Sequence, residues 1–289
     1  MDEKDNLHGL FDEAHYTSIF GKSYIAEIGE IKCIYTVNNG KIVTGPGASF
    51  GGISLSTKLI NPPRFNKLRV SFIALKEYLF ERHKDISSIT IRLAPDIYYP
   101  VELSAALRSS LELSGAISVG EVNYIISKKN WKPKSSVFRN CKKAFRAGYR
   151  IRSIKASQCF DFLSKVKGDK GYEFGFTKEK LIRQVERFPK TVFLSGSFCS
   201  AEKLSSAIIE VRLNNISLLV SWDQDKYSRK YSAIDQLLLN RIENAFNHNM
   251  NYIDLGTVTI NREINEGLIR HKENFGACPM LRNTFIFKT

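Results

Sequence analysis

The stretch NEGLIRHKENFGA, Asn265 to Ala277, has helical spacing and stands between two apolar segments that read as strands, YIDLGTV (252–258) and MLRNTFIFK (280–288). Ile264, Leu268 and Phe275 form the expected buried side of the helix. Asn265, Ile269 and Lys272 share a second face at i, i+4 and i+7. At 1.5 Å per residue, Asn265 and Lys272 are about 10 Å apart along that face. Gly276 fits the left-handed position that ends a helix. Gly267 costs about 1 kcal/mol against alanine inside a helix. Its presence predicts that something packs or binds close to that backbone.

Working outward, the pattern is one of alternating strands and helices. Segments 24–29, 31–37 and 41–45 read as short strands, and Asn38-Asn39-Gly40 is a hairpin turn signal. Leu68, Phe72, Leu75 and Leu79 make a helical stripe over 66–85. A strand at 87–95, a helix at 101–115 and a strand at 121–127 follow. The second half repeats the order: a helix near 134–148 ended by Gly148, a strand at 149–155, helices near 157–167 and 177–188, strands at 191–200 and over 204–224 with a turn at Asn214-Asn215, a helix at 233–249, and the closing strand–helix–strand. This predicts a mixed α/β fold of two related units, 1–130 and 131–289, each a mixed sheet flanked by helices.

The 289 residues carry a formal net charge of +14, which favours polyanionic partners such as nucleic acid or nucleotide phosphates. No apolar run reaches the roughly 18 residues of a membrane span. The acidic N-terminal stretch MDEKDNLHGLFDEAHY lacks the form of a secretory signal, so a cytoplasmic protein is expected. The cysteines and histidines are scattered, five of each. No CxxC, HxxxH or mixed cluster occurs, so no metal is expected.

Three further segments stand out. GPGASFGGISL (45–55) has Ile53 where a phosphate-binding loop needs lysine and lacks a dinucleotide-type glycine pattern, so both nucleotide motifs are rejected. Two readings remain: a structural turn, or a loop whose Ser49, Phe50 and Gly51 line a substrate cleft. In KPKSSVFRNCKKAFRAGYRIR (132–152), Val137, Cys141, Phe145 and Gly148 form one face. Arg139, Lys142, Lys143 and Arg146 form another with no acidic residue among them, either a solvated face or one that contacts phosphates. In SWDQDKYSRKYSA (221–233), Arg229, Lys230, Tyr231 and Ser232 precede a helix N-terminus, where anions bind and where Ser232 can also cap.

Together these segments resemble the FemAB-like branch of the GNAT acyltransferases. NEGLIRHKENFGA is similar to that branch's N-x-GL-x-x-FK-x-x-FG segment, with YIDLGTV matching the aspartate-x-glycine strand before it. FRNCKKAFRAGYRIR resembles its RN-x-x-KA-x-x-G segment, and ASFGG a segment of its small members. His271 stands where the family has phenylalanine, and the pyrophosphate loop of acetyl-CoA enzymes is missing. The resemblance implies a tandem GNAT fold and transfer of an acyl group from acetyl-CoA or another acyl-CoA to an amine of a sugar, polysaccharide or cell-envelope precursor. The alternative donor is an aminoacyl-tRNA. A non-catalytic nucleic-acid-binding module is the rival of another class. In the transferase readings Lys272 is a donor to the reacting carbonyl, Asp254 or Asp223 orients or deprotonates the amine, and Tyr231 returns a proton. Arg229, Lys230, Ser232, Asn265 and Gly267 are expected at the donor. Ser49, Phe50, Gly51, Arg139, Asn140, Lys143 and Trp222 are expected at the acceptor. Two units in one chain can mimic a dimer, which fits a monomer.

Overall fold

The computed structural model describes residues 4–6, 16, 19, 22–47, 50–56, 63–260 and 263–289. The chain forms two compact units, one of Met1–Val122 with Met280–Thr289, the other of Asn123–Pro279. The join expected near residue 130 thus falls inside the second unit, and most of the last strand belongs to the first.

The first unit holds β1 (Lys4–Asn6), β2 (Tyr24–Ile28), β3 (Ile31–Asn38), β4 (Lys41–Thr44), β5 (Ile53–Ser56), α1 (Phe65–Arg82), β6 (Ser88–Arg92) and α2 (Val101–Leu113). Its sheet runs β1-β5-β3-β4-β6-β15, where β15 is Cys278–Lys288, and β2 also pairs with β3. Asn39 and Gly40 both have positive φ, 47° and 67°, as the expected hairpin turn between β3 and β4 requires. The predicted stripe Leu68, Phe72, Leu75 and Leu79 is the buried face of α1.

The glycine-rich loop before β5 is a clasp of backbone on backbone. Gly52 accepts from Ile34 N at 2.7 Å, and Gly45 N donates back to Ile34 O at 3.1 Å. A Cβ on Gly52 would stand 2.2 Å from Gly45 N. Phe50 is 1% exposed and packs edge-on to Tyr98 at 4.8 Å. Gly51 N donates to Arg92 O at 3.0 Å. Of the two readings of this loop, packing accounts for Phe50 and Gly51. Ser49 lies outside the described residues.

The second unit contains β7 (Ile117–Ser127, entering from the first), α3 (Ser135–Arg146), β8 (Arg150–Ser153), α4 (Ala156–Gly168), α5 (Lys178–Arg187), β9 (Val192–Phe198), β10 (Leu204–Leu213), β11 (Ile216–Gln224), α6 (Ala233–Asn247), β12 (Tyr252–Thr257), the hairpin β13 (Thr259–Ile260) and β14 (Glu263–Ile264), and α7 (Glu266–Asn274). The sheet order is β7-β12-β11-β10-β9-β8. Residues of α3, α6 and α7 share one apolar core, built on Val137, Leu237, Leu238, Ile242, Phe246, Ile253 and Phe275. Those of α4 and α5 share another through Cys159, Leu163, Leu181 and Ile209. The Glu210 side chain, 1% exposed, accepts from Arg212 Nε and Ser217 Oγ at 2.7 and 2.9 Å and from Arg241 Nη2 at 2.6 Å, so a paired buried charge ties β10, β11 and α6 together.

Two sequence expectations change here. Phe145, placed on the apolar face of α3, is 59% exposed, and Val137 and Ala144 are the buried residues of that helix. Ile264, placed on the buried side of the last helix, is 68% exposed, while Lys272 is 1% exposed. Ile264 belongs to β14, before the Asn265 cap, so it shares no face with the helix, and the buried residue of α7 itself is Lys272.

Gly52→Ala tests the clasp. A methyl group driven into backbone at positive φ should lower unfolding free energy by about 2–4 kcal/mol, read as a shift of the urea midpoint. Gly29, which also has positive φ but nothing within 4 Å of its Cβ position, should lose less on the same change.

Candidate active site

In the second unit, β11 and β12 run parallel and pair only over three residues, Ile216–Leu218 against Tyr252–Asp254. β11 then continues to Gln224, held on its other side by β10 from Ser221↔Ile209 to Gln224↔Ser206. β12 stays with β7, re-pairing at Thr257↔Asn123 after a register shift. The two strands therefore part after Leu218, which leaves an opening in the ladder along the edge of β11 beyond that point. Ser221 lies on this segment, and its buried hydroxyl has no hydrogen-bond partner among the described residues.

Three residues fix the departure of β12. Gly256 takes φ +74°. Its N–H donates to Asp254 Oδ1 at 2.7 Å, and Asn123 Nδ2 donates to the same oxygen at 2.6 Å. Lys272 Nζ donates to Gly256 O at 2.7 Å and to Thr257 O at 2.8 Å. Burial holds the Lys272 ammonium down to about 7, and the charge of Asp254 partly opposes that shift. A neutral amine still has two protons for these two carbonyls. Asp254 and Lys272, expected as reacting groups, act here on the backbone that shapes the opening.

A second constellation borders it. His271 Nε2 lies 2.8 Å from Asp235 Oδ1, and Asn140 Nδ2 donates to Asp235 Oδ2 at 2.6 Å. The His271 ring centroid is 5.4 Å from that of Trp222, on the parted segment of β11, and 5.2 Å from that of Phe275. Asp235 sits in the first turn of α6, where the helix dipole favours a carboxylate. Asn140 and Trp222, expected at the acceptor, stand in this constellation through their contacts with Asp235 and His271. Asp235 was missed because one aspartate in an amphipathic helix carries no spacing signal. His271 was visible only as a departure from phenylalanine.

The other expected residues are placed elsewhere. Asp223 is ion-paired with Lys170 of the segment after α4. Tyr231 packs on Tyr149, centroids 5.8 Å apart, under Lys230 Nζ. Ser232 takes φ +59° and its side chain caps nothing; Gln224 Oε1 accepts from Ile234 N instead. Asp235 N and Gln236 N donate to Ser232 O, so three amides of this helix start are already engaged. Arg229 and Lys230 are exposed beside it. Asn265 is the N-cap of α7, accepting from Leu268 N at 2.9 Å. The approach expected at Gly267 does not come from the described residues: among them a Cβ there would meet only Asn265 Oδ1 at 3.4 Å. Arg139 and Lys143 are exposed on α3 with Lys142 and Arg146, and none of the four has an ion pair among the described residues. No group of three His, Cys, Asp or Glu is placed to hold a metal among the described residues.

No protein-family model matches the sequence, and no curated protein matches it. Solved structures do match the fold. FemX superposes with a TM-score of 0.66 at 9% identity, covering 100% of this chain and 93% of its own. The L-PGS of Bacillus licheniformis gives 0.64 at 10% identity over 93% of this chain and 85% of its own. The chain has a FemAB-like GNAT fold. A tandem GNAT protein from the clavulanic acid biosynthesis pathway agrees, with a TM-score of 0.54 at 12% identity over 90% and 79% of the two chains. No helix among the described residues is long and apolar enough to cross a membrane.

Lys272→Met should destabilise by about 1–3 kcal/mol for each half-buried carbonyl left unpaired. The loss should grow with pH. With the folded value near 7 and the ordinary value at 10.5, the folded state sheds between those limits a proton that the unfolded chain keeps. Wild-type stability therefore climbs from pH 7 to 10.5 relative to the variant and is flat below pH 7. Urea midpoints measured for both proteins from pH 6 to 10 check this. Gly267→Ala, whose Cβ would touch Asn265 Oδ1 at 3.4 Å, should gain up to about 1 kcal/mol.

Proposed function

We propose that the chain is an acyltransferase that moves an acyl or aminoacyl group from an activated ester to an amine. The parting of β11 and β12 carries this reading. It leaves a run of strand edge, Leu219–Gln224, on which an extended, amide-bearing donor can lay its own backbone-like groups, as in strand addition. Donors on that edge would also meet the oxyanion that forms as the amine attacks the carbonyl. On the family resemblance, the acceptor is an amine of a sugar or cell-envelope precursor.

For the donor, two observations favour an aminoacyl-tRNA over acyl-CoA. The start of α6, where a CoA phosphate was expected, has its amides at Ile234, Asp235 and Gln236 engaged internally. The exposed face of α3 offers Arg139, Lys142, Lys143 and Arg146 beside exposed Phe138 and Phe145, with the Arg150 guanidinium 4.6 Å from the Phe145 ring centre. Cations interleaved with open aromatic rings suit a nucleic-acid backbone and its bases.

Thermal shift and filter binding with acetyl-CoA, free CoA, aminoacylated tRNA and a DNA duplex separate the readings. Aminoacylated tRNA should bind and stabilise the chain. The triple change Arg139→Glu, Lys143→Glu, Arg146→Glu should weaken binding at least tenfold and reduce the slope of log affinity against log salt by about two to three. Stabilisation by CoA compounds alone would sink the tRNA reading. Equal binding of duplex DNA without donor turnover would favour a non-catalytic module.

A further inference from the structure

The geometry points to His271 as the general base of this site, with Asp235 and Asn140 as the residues that set its tautomer. This rests on the acyl-transfer reading and adds to it the group that takes the proton. Asp235 is 8% exposed and accepts on both oxygens, Oδ2 from Asn140 at 2.6 Å and Oδ1 facing His271 Nε2 at 2.8 Å. A carboxylate can only accept, so the proton on that contact belongs to Nε2. Nδ1 then carries the lone pair, and no hydrogen bond to it occurs among the described residues. The His271 side chain keeps 26% of its surface open, so a ligand can reach it. The tilted ring of Trp222 puts it at the parted segment of β11, where the donor carbonyl lies in the proposed reaction.

The step balances as follows. The amine nitrogen forms the new bond to the carbonyl carbon, and Nδ1 takes the proton that this nitrogen gives up. The imidazolium is stabilised by Asp235. The ester C–O bond breaks, its electron pair goes to the ribose oxygen, and the proton held on Nδ1 passes to that oxygen. No further reactant is needed.

The inference makes a prediction that needs no substrate. In Asp235→Asn, the new amide oxygen still accepts from Asn140, so its NH2 group turns toward His271 Nε2. That forces the proton onto Nδ1, the wrong tautomer for a base. Two-bond 15N–1H spectra of histidine-labelled protein, with the His271 signals assigned by their loss in His271→Gln, should show protonated Nε2 in the wild type and protonated Nδ1 in Asp235→Asn. In parallel, donor consumption is followed for the full chain with radiolabelled aminoacyl-tRNA, and with acetyl-CoA, in the presence of amino sugars. His271→Ala should lower kcat about 100-fold or more, with partial rescue by added imidazole, and Asp235→Asn should fall without such rescue. A wild-type Nδ1–H tautomer, or an active enzyme whose His271→Ala variant keeps a third of its kcat, overturns the role and leaves the acyl-transfer reading intact. A wild type inactive on both donors overturns that reading, and the role with it.

Discussion

The second unit depends on a lysine nitrogen placed where an apolar side chain is expected. Lys272 points inward from α7, with 1% of its surface exposed, and binds two carbonyls of the chain leaving β12. Without those donors, the half-buried acceptors Gly256 O and Thr257 O would lose their bonds to Lys272, and each such loss is costly. The bonds also oppose re-zippering of β12 onto β11, the arrangement that would continue a parallel ladder and close the opening. Asp254 works in the same direction from the other side, through Gly256 N and Asn123. A pair of ionisable groups is thus used to keep two neighbouring strands apart.

That use explains why the lysine was set apart from the buried side, on a face with Asn265 and Ile269. Periodicity sorts apolar from polar residues, and a lysine is counted with the surface. Here desolvation is met by hydrogen bonding and by a shift toward the neutral amine, so the polar residue goes inside. On α1 the same rule worked, while on α3 it misplaced Phe145, which is 59% exposed. The stripe of α1, the Asn-Gly hairpin and the Gly148 and Gly276 helix stops all stand as expected. At the last of these, Ala277 N bonds to Lys272 O at 3.2 Å and Gly276 N to Glu273 O at 2.9 Å.

The site was less legible than the fold. Its parts come from α3, β11, α6 and α7, and no local pattern announces that Asn140, Trp222, Asp235 and His271 will meet. Only Asn140 and Trp222 were singled out, the first because of the company its segment keeps. Asp223 shows the limit from the other side. It is next to Trp222 in sequence, but alternation along a strand sends it to the opposite face, where Lys170 takes it. The glycine loop, which looked like a ligand site, is needed for the close approach of three backbone segments.

Helical geometry joins the two halves of the candidate site. Consecutive residues on a helix are set about 100° apart, so one helix can send Lys272 into the core beneath β12 and His271 sideways to Trp222 and Asp235. Any rotation of α7 that improved one contact would spoil the other. The cap at Asn265 and the Schellman stop at Gly276 hold the helix ends against such rotation. Gly267, at the exposed N-terminal turn, takes part in neither contact, and a Cβ there would touch only the cap oxygen of Asn265 among the described residues. The helix is therefore held firmly along the side that shapes the opening and left bare at its start, the distribution expected where the protein fixes geometry and a ligand supplies the remaining contacts.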